Sequence, residues 1–166
     1  MLHGDNLAAS TTKKALIRRY DRESLTGYVN PTSFLQPEGV ELLSDQGYAS
    51  IVSYPEIKLV AFVKEFLAAA EPERQVFQTR PKMAGLWVNL RFRDGDVLEG
   101  IIPNNLMLLD GSGFTVIPPD SFGNQQRIWA PRGSLVSVEV LGVVGSPLKK
   151  RKARPAPKEQ IGLFDE

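Results

Sequence analysis

The most constraining feature of this sequence is a run of short alternating segments that occurs twice. Leu86-Trp87-Val88-Asn89-Leu90-Arg91-Phe92-Arg93 places Leu86, Val88, Leu90 and Phe92 on one face and Trp87, Asn89 and the arginines on the other. That is the period-two signature of a half-buried strand. Asp94-Gly95 follows and marks a tight turn, because glycine supplies the positive φ that such turns require. Asp96 to Ile102 returns as a second strand, and more strands are expected over Phe114 to Ile117, Gln126 to Ala130 and Leu135 to Leu141. Five short strands in so few residues make a meander too small for a sandwich, and a small barrel is the economical way to cover its edges.

The first half has the same outline, with strands expected over Lys14 to Tyr20, Ser24 to Val29, Gly39 to Leu43, Ala49 to Ser53 and Ile57 to Phe62. Arg19-Tyr20 aligns with Arg91-Phe92, Gly27 with Gly100, and Tyr54-Pro55 with Ala130-Pro131, at offsets of 72, 73 and 76. A drifting offset reads as loop insertions within a divergent duplication, the alternative being that any two β-meanders look alike. Between the copies, Glu65 to Glu71 is rich in Ala and Leu and predicts a short helix ended by Pro72. The expected organisation is a flexible N-terminus (1–12), a first module (13–64), a linker with a short helix (65–84), a second module (85–145) and a disordered basic tail (146–166). The fold class is mainly β, two tandem five-stranded small barrels.

Composition removes most enzyme chemistry. The 166 residues include no Cys and one His, His3, so thiolate metal sites, cysteine nucleophiles and histidine triads have no material. No metal or cofactor is expected, and the chain is read as non-enzymatic. No apolar run approaches the roughly 18 residues a membrane span needs. Met1 to Ser10 has no apolar stretch that would serve as a secretory signal, so a cytoplasmic location is expected. The formal net charge of +1 hides a split. Six of the 20 cations (Lys149, Lys150, Arg151, Lys152, Arg154 and Lys158) fall in the last eighteen residues against Glu159, Asp165 and Glu166, leaving residues 1–148 with 14 cations and 16 anions. From Lys149 to Gln160 there is no large apolar residue, and such a stretch cannot offset the entropy of ordering.

The hairpin Leu90-Arg91-Phe92-Arg93-Asp94-Gly95-Asp96-Val97-Leu98-Glu99-Gly100 resembles the opening of Sm-like barrels of the Hfq-like type, an apolar strand, an (N/D)G turn and an apolar-x-G strand. The first copy, Ile17 to Gly27, carries Asp21-Arg22-Glu23-Ser24 in place of that turn. The Tyr-Lys-His signature of the family is absent, with Ser53-Tyr54-Pro55 and Trp129-Ala130-Pro131 in its place. The resemblance spans residues 14–142 as pattern. It implies association through sheet edges and RNA binding, with two fused modules per chain making a homo-oligomeric trimer equivalent to a six-module ring.

Cations beside aromatics neutralise phosphates and stack on unpaired bases. Lys13, Lys14, Arg18, Arg19, Tyr20 and Arg22 in the first module and Arg91 and Arg93 in the second, near Trp87 and Phe92, are the candidate RNA- or DNA-binding residues, joined by Lys149, Lys150, Arg151, Lys152 and Arg154 of the tail. The plainer reading has Arg18 and Arg19 facing water and Phe92 in the core. Arg18 to Arg22 with Ser24 to Gly27 also has part of the arginine and SxxG pattern of cyclic-dinucleotide-binding PilZ barrels, with its spacing altered. Asp94, Asp96 and Glu99 stand close enough to hold a hard cation, though acids at exposed hairpins are more often simply solvated.

The chain ends Gln160-Ile161-Gly162-Leu163-Phe164-Asp165-Glu166. Three large apolar residues on a solvated tail resemble the bacterial sliding-clamp-binding peptide, in which an extended segment seats alternate anchors in pockets. The resemblance implies that Gln160 bonds the pocket rim, Ile161 fills the first apolar position, and Leu163 with Phe164 fills the cleft. Folding of this peptide back onto its own barrel is the other reading, as is an import signal at Lys149 to Lys152. Together the features describe a nucleic-acid-associated adaptor that docks on a sliding clamp. The alternatives are an Hfq-like RNA chaperone with an incidental tail, or an oligomeric scaffold.

Overall fold

The computed structural model describes residues 11–21, 23–66, 74–109 and 111–145. Ten strands appear in chain order: β1 Lys13–Arg19, β2 Leu25–Val29, β3 Gly39–Leu43, β4 Ala49–Ser53, β5 Ile57–Val63, β6 Gly85–Phe92, β7 Val97–Ile102, β8 Gly113–Val116, β9 Gln125–Pro131 and β10 Leu135–Val144. All ten coincide with the strands expected from alternation, and no α-helix occurs among the described residues. The helix expected within 65–71 lies largely outside them.

Two antiparallel sheets result, one of seven strands in the order β4-β3-β2-β1-β5-β9-β8 and one of three in the order β10-β6-β7. Neither closes into a barrel. The two are joined by a bridge between Ile101 and Ile117, whose amides and carbonyls exchange hydrogen bonds of 2.9 Å.

Each half nevertheless repeats one plan. The first strand of each half lies between its second and fifth, as β5-β1-β2 and β10-β6-β7. β1 and β5 slip register between Arg18 and Arg19, passing over Lys58. β6 and β10 slip between Leu135 and Ser137, passing over Val136. The turn Tyr54–Glu56 before β5 corresponds to Arg132–Ser134 before β10. This sets Ser53 against Pro131 and replaces the alignment of Tyr54-Pro55 with Ala130-Pro131. Close approaches recur as well. A Cβ on Gly39 would stand 2.0 Å from the Val52 carbonyl oxygen, and one on Gly113 would stand 2.4 Å from that of Ala130.

The halves do not keep separate cores. One cluster collects Val88, Leu90, Phe92, Leu98, Ile102 and Val116 from the second half with Leu59, Ala61 and Val63 from β5. The other collects Ala15, Ile17, Val29, Val40 and Val52 with Trp129 from β9. The cause is the antiparallel pairing of β5 with β9, Val60 opposite Trp129 and Ala61 opposite Ile128. Both strands are thereby covered on two faces, which suits the unbroken apolar content of Leu59 to Val63.

Candidate nucleic-acid interface

The expected phosphate-binding side chains fall into three settings. The first is the junction of the two halves. Tyr20, at the end of β1, donates from its hydroxyl to the Ser134 carbonyl at 3.1 Å and makes a short hydrogen bond with Ser134 Oγ. Ser134 Oγ in turn donates to the Lys58 carbonyl at 2.8 Å. The Arg93 guanidinium lies 3.9 Å from the centre of the Tyr20 ring and donates to the Pro55 carbonyl at 2.8 Å. Tyr20 and Arg93 thus hold each other across the junction. Phe92 is 2 % exposed in the core.

The acids of the β6–β7 hairpin belong to the same junction. Lys58 Nζ reaches Asp94 Oδ2 at 2.5 Å and also Asp96 Oδ2, with the ammonium 5.3 Å from the Phe92 ring centre. Burial works against the Lys58 charge, but its hydrogen bonds to Asp94 and Asp96 prevail and hold its pKa above the ordinary lysine value. For Asp94, slight burial is outweighed by the Lys58 hydrogen bond and the Asp96 amide, and its carboxyl is held below the ordinary range. Glu99 faces elsewhere, accepting from the Phe77 amide and from Trp87 Nε1, each at 3.0 Å. Among the described residues no three His, Cys, Asp or Glu side chains form a group able to hold a metal ion.

The second setting is the flank of β1. Lys14 pairs with Glu65 at 3.0 Å and lies 5.6 Å from the Phe66 ring centre. Arg19 Nε donates to the Glu23 carbonyl at 2.9 Å. Arg18 is half-buried and lines a narrow cavity with Lys58, Arg74, Asp96 and Gln125. Arg91 is exposed on β6. Arg22, Lys149, Lys150, Arg151, Lys152 and Arg154, and the peptide residues Gln160, Ile161, Leu163 and Phe164, lie outside the described residues.

The third setting gathers side chains from both halves. An open cleft of about 440 Å³ is lined by Lys13, Pro31, Phe34, Phe62, Thr115, Gln126 and Arg127. Arg127 pairs with Phe62 across β9 and β5, and Phe62 pairs with Ala15 across β5 and β1. Lys13, two residues before Ala15, therefore shares that sheet face with the half-buried Phe62 and with Arg127. Phe34 supports the floor, edge-on to Phe62 at 5.6 Å and to Trp129 at 5.8 Å between ring centres. Two cations thus border an aromatic floor, an arrangement able to take a phosphate beside a stacked base. Arg127 was not among the residues expected from sequence, since only the pairing of β5 with β9 brings it opposite Phe62.

The model of a family of unknown function, DUF6982, matches residues 11–142, so the chain belongs to that family. No curated protein and no solved structure matches the chain. Among the described residues, no helix is long and apolar enough to cross a membrane.

Proposed function

We propose that this protein is a non-enzymatic, nucleic-acid-associated adaptor built from two Sm-like modules, with a basic C-terminal arm ending in a sliding-clamp-docking peptide. The observation that carries nucleic acid engagement is the cleft in which Lys13 and Arg127 border Phe62. The repeated strand order and repeated register slip of the two halves support the modular reading. The arm adds local positive charge that attracts either nucleic acid whatever its sequence. RNA is the ligand class the Sm-like resemblance favours. The Gln160, Ile161, Leu163 and Phe164 peptide supports recruitment by a clamp.

Salt-dependent binding of labelled single-stranded RNA and DNA by the full chain tests the first half of this reading. Each lost phosphate contact on a single strand lowers the slope of log affinity against log salt by roughly 0.7. The Lys13→Glu, Arg127→Glu double variant is therefore expected to weaken binding and flatten that slope. An unaltered slope removes the cleft from the interface. Capture of a purified bacterial clamp by wild type, lost in the Leu163→Ala, Phe164→Ala variant, tests the second half. Nucleic acid binding without clamp capture would favour the RNA-chaperone alternative, and clamp capture without nucleic acid binding would leave an adaptor that works through its tail alone.

A further inference from the structure

The loops that follow the second strand of each half, β2 to β3 and β7 to β8, are built on the same turn. In the first, Asn30 Oδ1 accepts from the Thr32 amide at 3.0 Å, and the Ser33 amide donates to the Asn30 carbonyl at 3.1 Å. In the second, Asn105 Oδ1 accepts from the Met107 amide at 3.0 Å, and the Leu108 amide donates to the Asn105 carbonyl at 3.0 Å. The backbone is held alike, but the side chains differ. Pro31-Thr32-Ser33 in the first half stands where Leu106-Met107-Leu108 stands in the second. All six residues are exposed, Leu106 at 74 %, Met107 at 90 % and Leu108 at 65 %. The turn has no need of apolar residues, since a polar sequence makes it in the same molecule. Three consecutive large aliphatic side chains at such exposure mark a surface that another body covers.

Positive charge stands at both feet of this second loop. β7 ends at Ile102, which pairs with Leu86, and Leu86 pairs on its other side with Val143 of β10. At that end of the sheet Arg80 Nη2 donates to the Val143 carbonyl at 2.8 Å, and Lys82 and Met83 are exposed in a groove shared with Ile101. Gly145 passes close against Met83 and Ala84, and the sequence beyond it supplies Lys149, Lys150, Arg151, Lys152 and Arg154. At the other foot, the exposed Arg132 donates its amide to the Ser112 carbonyl at 2.9 Å. Segments 80–87, 101–109 and 142–158 contain no acidic residue, and Asp110, next to the apolar run, is the single acid of the loop.

We infer that this loop docks on an anionic lipid surface, with Leu106, Met107 and Leu108 entering the boundary between headgroups and acyl chains and the cations meeting the lipid phosphates. The residue types favour lipid over a protein groove. The run is wholly aliphatic and stands out on a turn, whereas protein hot spots are enriched in Trp, Tyr and Arg. A short apolar insertion and a polybasic segment are each weak alone and reinforce each other at an anionic leaflet. The inference stands independently of nucleic acid or clamp binding.

The test is co-sedimentation of the full chain with vesicles of phosphatidylcholine alone and of phosphatidylcholine mixed in equal parts with phosphatidylglycerol. Wild type is expected on the anionic vesicles, less so as salt rises, and hardly at all on the neutral ones. The Leu106→Pro, Met107→Thr, Leu108→Ser variant puts the first-half turn into the second half, so its circular dichroism spectrum is expected to stay unchanged. Its affinity for anionic vesicles is expected to fall by about tenfold or more, because insertion scales with the apolar area buried. The chain has no Cys, so Met107→Cys takes a single environment-sensitive dye, whose emission is expected to shift to the blue on anionic vesicles. Wild type that ignores anionic vesicles overturns the inference and leaves the run as a protein-docking surface. So does a triple variant that binds them like wild type, which would assign all binding to the tail cations, and so does equal binding to neutral vesicles. Should the triple variant lose its fold, the dye decides, and unshifted emission from vesicle-bound chain overturns the inference.

Discussion

Lys58 shows how far a single residue departs from what its neighbours in sequence imply. It interrupts an apolar strand, and alternation places it on the face opposite Ile57 and Leu59. The register slip of β5 against β1 turns it toward Asp94 and Asp96, which reads as a solvated hairpin in sequence and is an ion-pair cluster in the fold. Removal by Lys58→Ala leaves two carboxylates without their cation and is expected to cost about 1.5–3 kcal/mol, the range for hydrogen bonds to charged groups, measured by chemical denaturation. The pH dependence has a definite sign. Asp94 has its folded pKa below the unfolded one, so its contribution is present above about pH 3.9 and is lost as pH falls through the folded value. Lys58, with its pKa raised, contributes below the ordinary lysine value and loses that contribution in strong alkali. The stability gap between wild type and Asp94→Asn is therefore expected to be full at neutral pH and to shrink in acid. A gap of constant size would show that the charge is not involved.

The strands themselves were readable residue by residue. Val88, Leu90 and Phe92 are buried as alternation requires, and Gly95 has φ +94° in the turn that Asp94-Gly95 signals. Register and curvature were less readable, because they depend on how closely one backbone passes another. Gly113 illustrates this, since its missing Cβ makes room for the Ala130 carbonyl and the Trp129 ring. Gly142 in β10 has open space around it. Gly113→Ala is expected to destabilise by about 1–3 kcal/mol through overpacking, whereas Gly142→Ala should stay within about 0.5 kcal/mol. Equal thermal shifts in the two variants would contradict the close packing of β8 on β9. The expected alignment of the two prolines failed at this scale for a related reason. Pro131 and Pro55 both sit beside a short turn, but Pro131 precedes its turn and Pro55 lies inside it.

For the whole molecule, the shared cores make the two halves one cooperative unit. Trp129 belongs by sequence to the second half and by packing to the core of the first. Trp129→Ala is expected to cost about 3–5 kcal/mol and to shift one unfolding transition, with tryptophan fluorescence and far-ultraviolet circular dichroism remaining coincident. Two separated transitions would mean that the halves fold independently. Sequence alone carried the β class, the positions of ten strands, the twofold plan and the gathering of positive charge in the tail, because alternation, turn residues and charge are properties of neighbouring residues. It did not carry the pairing of β5 with β9, the exchange of core residues between halves, or the cleft that brings Arg127 beside Phe62. Those depend on which strand lies beside which, and an apolar strand can pair with many partners at nearly equal local energy. Only the closing of both cores at once selects one of them.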